Sequence, residues 1–368
     1  MLEFEQKRLR TVHLWTSGIP GAHIQFFSPE LVFTGPLNPC QPFKMSSFDR
    51  RDFCTLVAAN FSALLLSQCS TPPPPPIIPV TSVPPGVPAP QPVPVYHGRL
   101  PWNTVFKGED KFYALTARAQ SENWAALPLA RRTATVGRAL AGTRYGNYTL
   151  EIDDRVEAPS VNLYALDCWT FYEVSLAFAR VIGTHPGPWS PVELLRMVEM
   201  ERYRNGLCDG SYLSRMHHLE EVFADNQRRG LGTNVTRSLG GVPVRRNVRE
   251  MQIAWRNYRY LRNNPSLRSG IANVEGRVSR LPVSYIPKNR VAGIESRLQD
   301  GDVLAIASKD DTGYTSHVGL AVRHGNTCRF MHATSNYDKG RCCIVDTRIS
   351  AYLGEKSDNM GLIVFRPV

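Results

Sequence analysis

One cysteine and two histidines in the second half of the chain could together carry out nucleophilic chemistry. A cysteine attacks as its thiolate, and an ordinary thiol is mostly protonated at neutral pH. A helix N-terminus stabilises the anion, and a neighbouring imidazole can accept the proton. Cys168 begins a predicted helix and follows Asp167, a residue type that caps helices. This position predicts that Cys168 is a nucleophile.

Two histidines are candidates for the base that would activate this cysteine. His317 lies in the segment Ser316-His317-Val318-Gly319, and His332 follows fifteen residues later on the next predicted strand. Pairing of these strands in a hairpin can place the two imidazoles side by side. One would then be the base, and the other would hold its tautomer through a hydrogen bond. Taken alone, the pattern is also compatible with an inert buried cysteine and structural histidines.

The elements that must position these residues begin with helices. Helical periodicity covers 130–141, and a second helix begins near Cys168, continues through Val181 and stops before His185. Residues 148–152 have a strand-like pattern. A third helical stripe, interleaved with arginines, consists of Val248, Met251, Trp255, Tyr258 and Leu261. We interpret this stripe as a core face whose arginines extend to solvent, the alternative being a helix that binds nucleic acid.

Strands follow the helices in the last part of the chain. Turn residues separate short strand candidates at 303–307, 317–322, 329–332, 343–346 and 362–365. Helices followed by a meander of strands indicate an α+β domain with an antiparallel sheet. The catalytic candidates thus require a helix start and two neighbouring strands to meet.

The N-terminal part of the chain has the layout of an export signal followed by a tether. Arg50 and Arg51 precede an apolar run that ends at Cys69, a pattern that resembles a twin-arginine signal ending in a lipobox. It predicts lipidation of Cys69 and, because an export signal must lead the chain, translation from Met45. The predicted divisions are 1–44 outside the native protein, 45–69 the signal, 70–95 a proline-rich tether and 96–368 the folded domain. The alternatives are a buried amphipathic helix for the signal and an SH3-type ligand for the tether.

Composition excludes several classes of protein. The 368 residues include 42% hydrophobic and 20% charged residues, which is typical of a globular protein. No apolar run of about eighteen residues occurs, so the chain is not a polytopic membrane protein.

The net charge of +11 favours polyanionic partners or serves only solubility. There is no C-x-x-C pair, and the adjacent His217 and His218 lack the spacing for shared ligation, so we predict no metal or cofactor. The lack of a nucleic-acid motif predicts no nucleic-acid partner.

Several segments resemble a known family of cell-wall enzymes. The motifs around the cysteine and the histidines resemble those of NlpC-type papain-like hydrolases, and more closely the N-acetylmuramoyl-L-alanine amidase-like family within that group. The resemblance covers roughly residues 130–368. The segments that carry it are Leu166-Asp167-Cys168-Trp169-Thr170-Phe171, Gly301-Asp302-Val303, Ser316-His317-Val318-Gly319-Leu320, Met331-His332-Ala333-Thr334, Arg202-Tyr203-Arg204-Asn205-Gly206, Ser214-Arg215-Met216-His217 and Tyr285-Ile286-Pro287-Lys288.

The resemblance implies a fold and a set of site residues. The fold would be an α+β, papain-like (NlpC-type) domain in which N-terminal helices pack on a C-terminal antiparallel sheet. Cys168 would be the nucleophile, His317 the base and His332 the residue that orients it. The residues that would contact substrate are Tyr145, Asp167, Arg215, His217 and Ser316. For Arg215, a structural role in a salt bridge is an equally open alternative.

The resemblance also implies an activity. The expected enzyme is an exported, periplasmic and membrane-anchored lipoprotein that uses cysteine catalysis to cleave the amide between N-acetylmuramic acid and L-alanine in peptidoglycan. One alternative is a stem-peptide endopeptidase that cuts at D-glutamyl bonds. Others are a non-catalytic cell-wall-binding lipoprotein and an acyltransferase or thioesterase with the same residues.

Overall fold

The structure, a computed structural model, describes residues 100–368. The predicted start at Met45, the export signal, the lipidation of Cys69 and the tether lie outside the described residues. None of the helices within 100–368 is long and apolar enough to cross a membrane.

Short elements come first and pack beside the main helices. Two small parallel sheets form: β1 (Phe106–Lys107) pairs with β3 (Val161–Asn162), and β2 (Arg144–Tyr145) pairs with β4 (Ala165–Leu166). The β2–β4 pair places Tyr145 opposite Leu166, directly before Cys168 in the chain. The elements are α1 (Trp102–Val105), β1 (Phe106–Lys107), α2 (Glu109–Ser121), α3 (Leu129–Ala139), β2 (Arg144–Tyr145), β3 (Val161–Asn162) and β4 (Ala165–Leu166).

The longest helix of the described chain follows at once and is buried almost throughout. It is α4 (Cys168–Thr184), and its mainly apolar sequence explains why it lies inside the domain. α5 (Pro191–Arg202) begins with a Ser190 cap and with Pro191 in the first helical position, where a missing N–H costs nothing. α6 (Leu219–Arg228) completes this group of helices. The predicted helices at 130–141 and from Cys168 are therefore confirmed by α3 and α4.

An antiparallel sheet occupies the C-terminal part of the domain. Its strand order is β11-β10-β9-β8-β12-β7-β6, and β5 also pairs with β12. Every strand predicted from the C-terminal sequence is present. The strands are β5 (Gly232–Asn234), β6 (Val242–Pro243), β7 (Ser284–Pro287), β8 (Val303–Ser308), β9 (Thr315–His324), β10 (Thr327–Ala333), β11 (Cys343–Arg348) and β12 (Asn359–Pro367). The helices between them are α7 (Glu250–Ile253), α8 (Arg259–Asn263), α9 (Arg268–Ser279), α10 (Lys288–Val291) and α11 (Ile349–Gly354).

Side chains cover both faces of this sheet. On one face, Val318 and Leu320 of β9 join Phe171 and Phe178 of α4 in the main core. On the other face, residues such as Phe330 belong to a second cluster that includes α11. Alternation along each strand sends neighbouring side chains to opposite faces, and both faces are covered, which explains why β8 is apolar in all but its last residue and β9 is buried along most of its length. The predicted mixed architecture of helices and an antiparallel sheet is confirmed.

Two predicted elements were wrong. The stripe from Val248 to Leu261 does not form one helix, because α7 and α8 are separate and Tyr258 between them has an extended backbone. The Glu275 carboxylate accepts hydrogen bonds from the amides of Met251 and Gln252, at 2.7 and 3.1 Å, and so anchors α7 by itself. These tertiary contacts override the periodicity of the sequence.

The strand predicted at 148–152 does not form either. Tyr148 has a left-handed backbone with φ of 56°, which cannot continue a strand. The Thr149 hydroxyl donates to the Asp167 carboxylate at 2.5 Å, which fastens this turn to the start of α4.

Candidate active site

Cys168 occupies the first residue of α4, and a capping box fixes its position. The Asp167 carboxylate accepts a hydrogen bond from the Thr170 amide at 2.8 Å, and the Thr170 hydroxyl accepts one from the Asp167 amide at 3.0 Å. This reciprocal arrangement satisfies two backbone donors at the N-terminus of the helix. Asp167, which was predicted to contact substrate, thus caps the helix that begins with Cys168.

Cys168 begins the helix that packs against β9, the strand that carries the predicted base. The backbone amide of Val318, the residue after His317, acts to lower the pKa of the Cys168 thiol. Ala321 of the same strand directs its N–H to β8, and alternation then directs that of Val318 toward β10. The ladder between β9 and β10 ends at Leu320 and Met331, so Val318 lies beyond its last residue pair.

Two imidazoles and a carboxylate form a hydrogen-bonded relay across β9, β10 and β11. His317 Nε2 and His332 Nδ1 are 2.7 Å apart, and His332 Nε2 is 3.0 Å from Asp346 Oδ2. Lys339 Nζ also bonds to that carboxylate, at 2.7 Å. The predicted side-by-side placement of the two histidines is present, and the relay continues to a carboxylate that the sequence analysis missed.

The charge of Asp346 determines the tautomers along the relay. Burial acts to raise the pKa of Asp346, but hydrogen bonds from His332 and Lys339 hold it far below its usual value. An ionised carboxylate can only accept, so His332 must donate from Nε2 and its Nδ1 carries a lone pair. That lone pair accepts the Nε2–H of His317. The remaining nitrogen of His317, Nδ1, is therefore unprotonated and able to accept a proton.

The thiol of Cys168 and the imidazole of His317 are both neutral at neutral pH. Burial, with a smaller contribution from Asp167, raises the pKa of Cys168 to about 12. Burial and then His332 lower the pKa of His317 well below its usual value. A proton transfer from Cys168 to His317 would therefore have to accompany attack on a substrate.

A cleft opens beside Cys168. Its cavity volume is about 50 Å³, within about 550 Å³ of unfilled space that includes open solvent. Its lining residues are Tyr148, Leu150, Glu151, Asp167, Cys168, Trp169, Tyr212, Arg215, Met216, His217, Met251 and Tyr258. An aromatic wall with a few convergent polar groups is typical of a site for an organic ligand.

Arg215 and His217 give the cleft its polar character. Arg215 is 3.2 Å from Glu157 and packs over the Tyr212 ring, so it is both a salt-bridge residue and part of the lining. Burial acts to lower the pKa of Arg215, but Glu157 keeps it raised and the guanidinium charged. His217 lies 2.9 Å from the Tyr212 carbonyl through Nε2, and burial and then Arg215 lower its pKa well below the usual value. The cleft therefore offers one buried cation and one neutral imidazole.

Other residues from the sequence analysis lie differently. Tyr145 and Ser316 are half-buried and are not among the lining residues of this cleft, so their contact with substrate stays a prediction. Burial and then Cys168 raise the pKa of Tyr145, which places its phenol close to the thiol. No group of three or more His, Cys, Asp or Glu side chains within residues 100–368 could hold a metal ion.

Two members of the site were missed from the sequence. Asp346 belongs to a strand that was predicted, but its place in the site depends on how that strand pairs with β10. His332 pairs with Ile344, and a residue two positions further along β11 lies on the same face. Tyr148 was predicted to lie in a strand. It instead has a left-handed backbone and lines the cleft.

Solved structures similar to this chain include amidases. Two crystal structures of an N-acetylmuramoyl-L-alanine amidase from Bacteroides uniformis ATCC 8492 are 24% and 25% identical to it, both with a TM-score of 0.58. Each match covers 65% of this chain, together with 99% of the first amidase chain and 98% of the second. A crystal structure of a candidate xylanase from Bacteroides fragilis is 27% identical with a TM-score of 0.56, covering 63% of this chain and 99% of that one. No protein of curated function matches the chain.

A family model matches the part of the chain that contains the site. The model is described as AmiA-like, N-acetylmuramoyl-L-alanine amidase-like, and it matches residues 135–361. This range is more than half of the 368 residues and includes Cys168, both histidines of the relay and Asp346. The chain therefore belongs to the N-acetylmuramoyl-L-alanine amidase-like family, whose activity is hydrolysis of peptidoglycan.

Proposed function

We propose that this protein is a cysteine-dependent amidase of the NlpC-type papain-like kind, which cleaves the bond between N-acetylmuramic acid and L-alanine. The observation that carries the proposal is the relay from Asp346 through His332 to His317, together with Cys168 at the start of the helix that packs against β9. Cys168 would be the nucleophile, His317 the base, and His332 and Asp346 the two groups that orient the base. The thiol also lines a cleft that opens to solvent.

The reaction would follow from the tautomer of His317. Nδ1 of His317 takes the proton of Cys168 while the sulfur attacks the lactyl carbonyl of the muramic acid. Backbone N–H groups in the first turn of α4 would stabilise the oxyanion. The tetrahedral intermediate collapses, the C–N bond breaks, and His317 returns the proton to the amine of L-alanine. Water, deprotonated by His317, then hydrolyses the thioester and releases the muramic acid carboxylate.

The low pKa of His317 and the high pKa of Cys168 suit this sequence of steps. A neutral pair has no ion pair to disrupt, so the charges form only as the carbonyl is attacked. The imidazolium that forms is stabilised through His332 by the carboxylate of Asp346. The base is thus supported when it becomes charged, in the transition state, which is the requirement for raising kcat.

A stem-peptide endopeptidase is the second candidate, because the same residues could attack a D-glutamyl bond. Product masses decide between the two reactions. Purified peptidoglycan is digested with the protein, and the soluble fragments are analysed by mass spectrometry. Peptides that begin with L-alanine and lack muramic acid support the amidase. Dipeptides retained on muramic acid contradict it and support the endopeptidase.

We also propose that the protein acts outside the cytoplasm as a lipoprotein anchored through Cys69. The support is the signal-like sequence that ends at this cysteine, together with the cell-wall substrate of the family. Metabolic labelling with a fatty acid analogue tests the anchor: wild-type protein should become labelled, and Cys69→Ala should not. Labelling of both proteins would contradict the assignment of Cys69.

A further inference from the structure

A second pocket lies next to the catalytic cleft and shares its wall. Tyr148 and Glu151 line both spaces. The second pocket contains about 570 Å³ of space, part of it open to solvent. Its lining is Thr104, Lys107, Asn147, Tyr148, Thr149, Glu151, Ile152, Ser160, Val161, Asn162 and Arg259. We call it the polar pocket, since hydroxyl, amide and basic side chains make up most of this lining.

The side chains of the polar pocket are mostly hydrogen-bond donors. Lysine and arginine donate only, and hydroxyl and amide groups can donate. The single lining carboxylate, Glu151, is already occupied, because it accepts from the Tyr212 hydroxyl at 2.8 Å and from the Tyr260 amide at 3.2 Å. Arg259 forms a half-exposed ion pair with Asp154 at 2.6 Å. Lys107 is exposed, and no carboxylate of the described residues pairs with its ammonium group. The pocket therefore suits a ligand with acceptor oxygens and negative charge.

Tyr148 forms a fixed ridge between the two spaces. Its left-handed backbone is costly for a residue other than glycine, and such strain persists only where surrounding contacts impose it. Thr149 is bound to the Asp167 cap, and Gly146 approaches Ala165 so closely that an added Cβ would lie 2.9 Å from the alanine Cβ. Tyr148 remains 44% exposed. The chain thus holds the backbone of Tyr148 at the junction of the two pockets and leaves its aromatic side chain accessible to a ligand.

Part of the polar pocket comes from outside the segment that defines the family. Thr104 and Lys107 precede the matched range of 135–361. The parallel pairing of β1 with β3 brings Lys107 next to Asn162 in register. This N-terminal addition supplies the cation that faces the pocket without an ion-pair partner in residues 100–368.

We propose that the polar pocket binds the carboxylate-bearing peptide part of a wall fragment whose scissile amide lies at Cys168. This inference rests on the proposed function, since the polar pocket shares Tyr148 and Glu151 with the cleft at Cys168. A stem peptide carries free carboxylates on its D-glutamyl residue and at its C-terminus. Lys107, with Arg259 beside it, would bind one of them. The glycan, which is rich in neutral hydroxyl groups, is the competing occupant.

Binding to an inactive variant tests the proposal without hydrolysis. The protein is Cys168→Ala, and the probe is the tetrapeptide L-alanyl-γ-D-glutamyl-L-lysyl-D-alanine, measured by calorimetry. We expect Lys107→Gln in that background to weaken binding about three- to tenfold, because one charge-assisted contact is lost. Amidation of the probe's carboxylates should weaken binding of the Cys168→Ala protein by a similar factor, and should have a smaller effect once Lys107 is replaced. Lys309→Gln, at an exposed lysine of another loop, is the matched control and should change nothing.

Three results would overturn the inference. One is equal affinity of the probe for the Lys107→Gln and parent proteins. Another is binding of chitotetraose that depends on Lys107, which would assign the pocket to glycan. The third is no binding of the peptide to Cys168→Ala. Failure of the proposed function is separate, because wild-type protein would then release no L-alanyl peptides from peptidoglycan. If such peptides are released with a KM that is unaffected by Lys107→Gln, only the pocket assignment is wrong.

Discussion

Replacement of Asp346 by asparagine tests the relay at its far end. Asparagine preserves the size of the side chain but removes its charge, and Lys339 then faces His332 without a counterion between them. The tautomer of His332 is no longer imposed, because an amide can donate as well as accept. His317 keeps its direct partner, so the change affects the support of the base while leaving the nucleophile in place.

The magnitude follows from the two hydrogen bonds of the relay. Their lengths of 2.7 and 3.0 Å, together with the width of one imidazole, place the carboxylate roughly 8 Å from His317 Nε2. At that separation and an effective dielectric constant of about 20, a carboxylate stabilises the imidazolium by about 2 kcal/mol. Loss of this stabilisation in the transition state lowers kcat about 30-fold. KM should change little, because Asp346 is not among the residues that line the cleft.

The assay is release of L-alanyl peptides from soluble muropeptides, with kcat and KM determined separately. Asp338→Asn is the matched control, since that aspartate is exposed on the adjacent loop, and it should retain full activity. Circular dichroism checks that the variant folds. This check is needed because the pKa of Asp346 is lowered in the folded protein, so its carboxylate stabilises the fold above about pH 4. This stabilisation is lost as the pH falls. A folded Asp346→Asn protein with more than a third of wild-type kcat would refute the reasoning.

Three further predictions concern the thiol, the cleft and the strand pair. Burial raises the pKa of Cys168 to about 12, so alkylation of Cys168 by iodoacetamide should be slow at pH 7 and accelerate through pH 10. A rate that levels off below pH 7 would instead reveal a preformed ion pair with His317. Arg215→Gln leaves the buried Glu157 without its cation, so the free energy of unfolding in urea titration should fall by about 3 kcal/mol. Arg215→Lys keeps the charge and should lower the free energy of unfolding by less. Equal losses in the two variants would contradict the charge argument. Gly319→Ala would place a Cβ 2.4 Å from the Met331 carbonyl oxygen, so the strands beside His332 must separate and kcat and Tm should both fall. Gly293→Ala, with no atom within 4 Å, should leave both unchanged, and normal activity of Gly319→Ala would contradict the register.

Local sequence signals were sufficient to predict the elements that carry the nucleophile and the base. The Asp167 cap and the apolar run after Cys168 determine where α4 begins, because a cap works through its immediate neighbours. The alternating and apolar segments of the C-terminal strands predict an antiparallel sheet for a similarly local reason. The pairing of His317 with His332 could be predicted because a short hairpin connects their strands.

Features that depend on distant contacts could not be predicted in this way. Asp346 joins the relay through the register between β10 and β11, which includes a shift between Arg329 and Met331 that composition does not reveal. The start of α7 depends on a carboxylate of α9, more than twenty residues further along the chain. The turn at Tyr148 depends on Asp167, eighteen residues beyond Thr149. In each case a tertiary hydrogen bond overrides the local preference.

The central claim is that Cys168 is the nucleophile, and replacement of single cysteines tests it most directly. Cys168→Ala and Cys208→Ala each remove one buried free thiol, but only Cys168 lies at the tip of α4 against β9. Both proteins are purified, checked for folding and given peptidoglycan, and the peptides released are quantified by mass spectrometry. We predict that Cys208→Ala releases them at a rate close to wild type and that Cys168→Ala releases none. Release by Cys168→Ala at the wild-type rate would contradict the account.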